Sequence, residues 1–291
     1  MFQKDVNSKK ITITAKELAS MSQDKIYQVF TADNWKMLDE SSRLAALQEI
    51  ENRRAKIDGR PPIPILKGSK KEFKEPELFG GFDPADHVIH LNYRFLEGSS
   101  PMHTGVGALS TLLHEGRHAY QDHLVNQGVI SESPDILKEW LTSTSLYIPP
   151  EVDALLYNMQ SIEDDARRFA RRELQGIINN LLLYGIADVS YLNEFRNMLQ
   201  WESQVIDAIQ QFLTIKDLDE IEEMLINEMQ DRYPDLDLKN LQLFETARLI
   251  INTKISSADD LIHLLDETDK IADAQLSKIR NQGPDRIHQK L

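Results

Sequence analysis

The chain contains no cysteine. That excludes thiolate metal ligands, cysteine nucleophiles and disulfides, and fits either a reducing compartment or a bacterial exported protein that does without crosslinks. No apolar run approaches the roughly 20 residues needed to span a bilayer, so no membrane span is expected. The N-terminal stretch through Ser20 has lysines ahead of Ile11 but no apolar segment long enough for a signal peptide. The expectation is a cytoplasmic protein, or one exported without a cleaved signal. Basic residues are outnumbered, 33 Lys and Arg against 47 Asp and Glu, and the resulting net charge of −14 repels phosphate backbones. Nucleic acid is not expected as a partner. What is present is enough Leu, Ile and Val, over 291 residues, to bury a core without staples. A metal, if bound, is then expected to serve chemistry.

Hydrophobic spacing organises the chain into three parts. Residues 1–60 read as an N-terminal helical segment, because Trp35, Leu38, Leu44, Leu47, Ile50 and Ala55 recur mostly three or four apart from Thr31 to Ala55. Residues 61–185 form the expected catalytic core. Pro61, Pro62 and Pro64 end the first helix, and two short β-like runs follow, Ile63 to Leu66 and His87 to Leu91, with Gly80, Gly81 and Pro84 as breakers between them. A small sheet is expected there. A strongly periodic helix then runs from about Gly105 to Val125, a short one lies around Ile136 to Leu141, and Pro149-Pro150-Glu151 reads as the start of a long helix. Residues 186–291 alternate Leu and Ile with charged residues at helical spacing and read as an all-helical C-terminal subdomain, with Gly185 to Ser190 as the candidate joint. The fold class expected is α+β, predominantly α.

Within the periodic helix stands His114-Glu115-Gly116-Arg117-His118. Residues four apart sit one turn above each other, so His114 and His118 can present both imidazoles to one tetrahedral zinc ion. Glu115, in the same turn, is placed to take a proton from a water whose acidity the metal has raised. Chance supplies such a pattern in only roughly a few per cent of chains of this composition. Leu109, Leu112 and Leu113 add the apolar approach that seats such a helix. Arg117 points off the metal face and, with Gln121, is placed to hydrogen-bond a second helix.

A catalytic zinc keeps three protein ligands and an open position. His123 is a poor third ligand, since on an unbroken helix it faces roughly 140° away from His118. His103 precedes the helix and reads as a surface residue. Glu163 is the favoured candidate. Ala166, Phe169 and Ala170 follow it at three, six and seven residues and mark a buried stripe, and a buried carboxylate needs a metal or a charge partner. The arginines 167, 168, 171 and 172 alternate with acids and read as helix salt bridges.

His-Glu-Gly-Arg-His-Ala-Tyr-Gln from His114, followed by Glu163-Asp164-Asp165-Ala166-Arg167-Arg168-Phe169-Ala170, resembles the glutamate-type zincins. The likeness is to bacterial minimal metallopeptidase domains with a later Glu-x-Asp-Ala-x-x-Phe-Ala signature, of the kind found in toxin, effector and mobile-element proteins. It covers about Asp86 to Ala170. The resemblance implies a zincin-like core with one Zn²⁺ ion held by His114, His118 and Glu163, Glu115 as general base, and Asp165 as a residue that orients a ligand histidine. It departs from the wider group at Arg167, where an acidic residue is usual. It also implies that the run from Asp86 to Leu91, read as two histidines on one face of an edge strand beside the cleft, positions an extended peptide by strand addition.

Peptide hydrolysis also requires a donor to the developing oxyanion. Tyr157 and Tyr147 are the candidates, with His263 a distant third. Three readings stay open: a zinc metallopeptidase acting on peptide or protein substrates; a zincin-fold effector or binding protein, weak or inactive as a catalyst, that meets a protein partner through its acidic C-terminal helices; and, as the weakest, a zinc hydrolase of other amides or esters.

Overall fold

The computed structural model describes residues 10–76, 78–98, 103–127, 131–145, 147, 157, 158 and 160–185, with separate positions between 193 and 274. The fold is α+β and predominantly α. In chain order come α1 (Ala15–Ser20), α2 (Gln23–Gln28), α3 (Ala32–Met37), α4 (Glu40–Asp58), β1 (Ile65–Lys67), β2 (Gly80–Asp83), β3 (Val88–Leu91), α5 (Tyr93–Glu97), α6 (Gly105–Gln127), α7 (Pro134–Ser145) and α8 (Ser161–Leu183). Two compact units divide the chain, Met1–Asp122 with Asp165–Ser203, and His123–Asp164 with Gln204–Leu291. The expected joint at 186–190 and most of the expected C-terminal helices lie outside the described residues.

The single helix expected from Thr31 to Ala55 is two helices. Leu38 is extended and bridges Ile11, and Asp39 restarts the chain as the N-cap of α4, its side chain accepting from the Ser42 amide. The apolar spacing runs through this break almost in phase, so periodicity alone does not reveal it. Gly59, at φ 71°, closes α4 in the left-handed conformation that glycine adopts without strain.

The sheet order is β1-β3-β2, with β1 parallel and β2 antiparallel to β3. The expected edge strand is therefore the centre of the sheet, because the Gly80-Gly81 segment, which reads as a breaker, forms β2 and pairs with β3 from Gly80↔Leu91 to Asp83↔Val88. Glycine at position 80 answers a packing demand: a Cβ there would lie 2.7 Å from Thr111 Cγ2 on α6. The outer edge of β1 is closed by α4. Gln48 accepts from the Ile65 amide at 2.9 Å and donates to the Ile63 carbonyl at 3.0 Å, and Glu51 accepts from the Ile63 amide at 2.9 Å. Helix side chains thus stand in for a missing strand.

Ile65, Ile89 and Leu91 join Leu47, Ile50, Phe95, Leu109, Leu112, Leu113, Ala170 and Leu174 in the core of the first unit. Charged groups are sunk in this unit as well. Arg43 is fully buried and donates to the carbonyls of Trp35 and Lys36 at the end of α3 and of Leu96 near the end of α5. Arg60 and Glu51 pair at 2.6 Å, both side chains 1% exposed, and Arg60 also reaches the Gly116 carbonyl on α6 at 3.2 Å. In the second unit Leu137, Trp140 and Leu141 form the buried face of α7. Ser143 on α7 accepts from the Ser161 amide at 3.0 Å, and Ser161 Oγ donates to the Glu139 carbonyl at 2.9 Å. These bonds fix the first turn of α8.

His103 is not at the surface. It is 1% exposed and meets Phe95 and Phe79 edge-on, at centroid distances of 4.8 and 5.8 Å. Burial holds its pKa below the ordinary value, as does the charge of Arg94; the Pro76 carbonyl offsets part of this. Between the lowered folded value and the unfolded value near 6.5, the unfolded chain binds the extra proton, so stability rises with pH across that window and is lost as pH falls through it. The expected result is a larger loss of unfolding free energy from pH 7.5 to pH 5 in the parent than in a His103→Gln variant, measured by urea titration at both pH values. Equal losses would show that His103 titrates normally.

Candidate metal centre

The local fold builds the site from one turn of α6 and the first turn of α8. On α6, Leu109, Leu112 and Leu113 are buried and seat the helix on the core, which leaves His114 and His118, one turn apart, half-buried on its other side. Their rings meet at 83° with centroids 4.7 Å apart, and the two Nε2 atoms lie 3.1 Å from each other. Glu163, 2% exposed, completes the group: one ligand atom from each of His114, His118 and Glu163 lies within 4.8 Å of the others. Among the described residues this is the group of three or more His, Asp or Glu side chains that could hold a metal ion.

The imidazole pair is spaced for a small tetrahedral cation. Bonds of roughly 2.0 to 2.1 Å at a tetrahedral angle put neighbouring ligand atoms about 3.3 Å apart, close to the observed separation of the imidazole nitrogens. Two nitrogens and one carboxylate oxygen are a donor set suited to zinc and other divalent transition metals. Glu163 sits in the first turn of α8, where the unsatisfied amides favour negative charge. The helix that carries it begins at Ser161, later than the Pro149-Pro150 start expected from sequence, because Gln160 is a bend whose carbonyl accepts the first helical bond, from the Asp164 amide. Residues 148–156 lie outside the described residues.

The expected stripe on α8 is present: Ala166, Phe169 and Ala170 are all buried with Glu163. Glu115 is 7% exposed beside His114. Asp165 accepts from Arg117 Nε at 2.7 Å and Nη2 at 3.2 Å, and from Gln121 Nε2 at 2.7 Å; Gln121 Oε1 lies 2.9 Å from His118 Nδ1. Asp165 therefore reaches His118 through an amide, and Arg117 and Gln121 bond the second helix as their positions predict. Arg167 is 6% exposed. Arg117 also lies over the rings of Tyr120 and Phe169, at 4.6 and 4.9 Å.

The remaining candidates fall elsewhere. His123 is half-buried on α6 and stands outside the three-residue group, as does the buried His103. Tyr147 and Tyr157 meet edge-on at 6.2 Å, Tyr147 being 49% exposed; His263 is exposed. The two strand histidines do not share a face. His87 precedes β3 at φ 50°, with Nδ1 3.8 Å from Asp122 on α6, whereas His90 within β3 lies 2.8 Å from Glu72. Glu51 and Arg60, nine residues apart in a charge-rich stretch, carry no local signal in the sequence, although they brace α6 at Gly116, next to Glu115. No known family model, curated protein or solved structure matches the chain.

Proposed function

We propose that the protein is a zinc-dependent metallopeptidase of the glutamate-type zincin kind, hydrolysing peptide bonds. The convergence of His114, His118 and Glu163, with a buried glutamate following the first histidine, is the observation that supports this reading. A zinc ion in this group supplies a water of lowered pKa and a Lewis acid for the scissile carbonyl. Glu115, buried one residue after His114, would serve as general base, taking the proton of the attacking water and passing it to the leaving amine. His114, His118 and Glu163 would hold the ion from two helices. The peptide-positioning role first read for β3 passes to β2, whose outer edge pairs with no strand among the described residues and whose Gly80 packs on Thr111, one turn before His114.

Purified protein is expected to bind one zinc ion and to cleave a generic peptide library, the cleavage being abolished by chelation and restored by zinc. Glu163→Ala is expected to weaken zinc binding by at least about 100-fold, beyond the 10–100-fold cost typical of an outer hydrogen-bonding partner. Zinc at unit stoichiometry without cleavage would favour the binding-protein reading, and unchanged affinity in Glu163→Ala would remove Glu163 from the site.

A further inference from the structure

We infer that Gln121 is a positioning residue for the metal centre: its amide fixes the tautomer and orientation of His118 and is itself locked by an Arg117-held Asp165. The inference rests on the metal reading above and follows from hydrogen-bond polarity. Asp165 receives both η2 and ε hydrogens of Arg117, at 3.2 and 2.7 Å, so it stands as an acceptor. The amide group of Gln121 that faces it at 2.7 Å must then be the NH₂. That turns the amide oxygen toward His118 Nδ1, at 2.9 Å. An oxygen there accepts only, so Nδ1 carries the proton and Nε2 presents its lone pair, on the side where His114 Nε2 lies 3.1 Å away.

The direction of every bond in the chain Arg117, Asp165, Gln121, His118 is thus set from its charged end. Arg117 supplies a firm end because its guanidinium lies against the rings of Tyr120 and Phe169 as well as being paired. The arrangement also spans both metal-bearing helices, since Arg117 and Gln121 are on α6 and Asp165 is on α8, two residues after Glu163. Rotation of α8 that withdrew Glu163 would also pull Asp165 from the amide. His118 is therefore oriented by a neutral amide, and the carboxylate that stands behind it is balanced by Arg117 rather than by the imidazole.

The test compares zinc dissociation constants, by chelator competition, in the parent, Gln121→Leu and the double variant Gln121→Glu with Asp165→Ala. In the double variant the carboxylate introduced at position 121 accepts from His118 Nδ1. With Asp165 removed, the second oxygen of that carboxylate stands where the Gln121 NH₂ was and takes Arg117 as its partner, so the polarity toward the histidine is preserved and no donor faces a donor. The expected result is zinc binding weakened 10–100-fold in Gln121→Leu, at an apo melting temperature within a few degrees of the parent, and recovered to within a few-fold in the double variant. A merely structural glutamine would show a lowered apo melting temperature and no recovery. A parent that binds zinc beside a Gln121→Leu variant that binds it equally well overturns the relay alone. A double variant as weak as Gln121→Leu also overturns it. A parent that binds no zinc overturns the metal reading and the relay with it.

Discussion

Replacing Glu115 by Gln is expected to cut peptide hydrolysis by about 10² to 10⁴-fold while leaving zinc bound, because the amide keeps the size of the side chain and removes only its basicity. The structure makes this a clean experiment. Glu115 is buried in the same turn of α6 as His114 and lies outside the three residues that could hold a metal ion, so the substitution alters neither those residues nor an exposed surface. The readouts are kcat/KM on a cleaved peptide and zinc content of the purified variant. A parent-like rate in Glu115→Gln would place the base elsewhere; loss of zinc would make Glu115 a ligand.

The second large effect concerns stability. Arg60→Met is expected to cost about 3 to 5 kcal/mol, since it leaves the Glu51 carboxylate buried without its partner. Glu51 and Arg60 are each 1% exposed in their side chains and pair at 2.6 and 3.1 Å. The arginine also donates to the Pro61 and Gly116 carbonyls, both at 3.2 Å, and the glutamate holds the Ile63 amide. An apolar replacement of the pair therefore strands several backbone groups as well. Glu51→Gln should lose less than Glu51→Ala, because the amide oxygen can still accept from Ile63. Urea unfolding of the apo proteins measures all three, and a loss under about 1 kcal/mol in Arg60→Met would mean that water or a rearranged carboxylate compensates.

The difference between these two sites shows what local sequence encodes. His114 and His118 are legible because a helix converts a spacing of four directly into shared direction, and Glu163 because its burial is written in the stripe of Ala166, Phe169 and Ala170. Strands β1 and β3 are legible as short apolar runs. By contrast, β2 is hidden by Gly80 and Gly81, and the need for glycine at 80 comes from Thr111 on a helix some thirty residues later. His103 reads as polar and exposed, yet Phe79 and Phe95 enclose it through packing that no window around residue 103 contains. Glu51 and Arg60 look like two more surface charges until α4 and the chain after it close over them. The amide of Gln121 stands three residues from His118, within reach on a helix, but its role depends on Asp165 facing it from α8.

The helix side chains along β1 leave β2 as the open rim of the sheet among the described residues, and that rim has a lopsided texture. Its first half, Gly80 and Gly81, is bare backbone, with nothing within 4 Å of where a side chain at 81 would begin, while its second half carries Phe82 and Asp83. A guest chain zipped onto it in the proposed manner would be felt as a peptide at one end and as a sequence only at the other. Tolerance of bulky residues on one flank of the cut, with discrimination on the opposite flank, is the signature such a rim would leave in a cleavage profile.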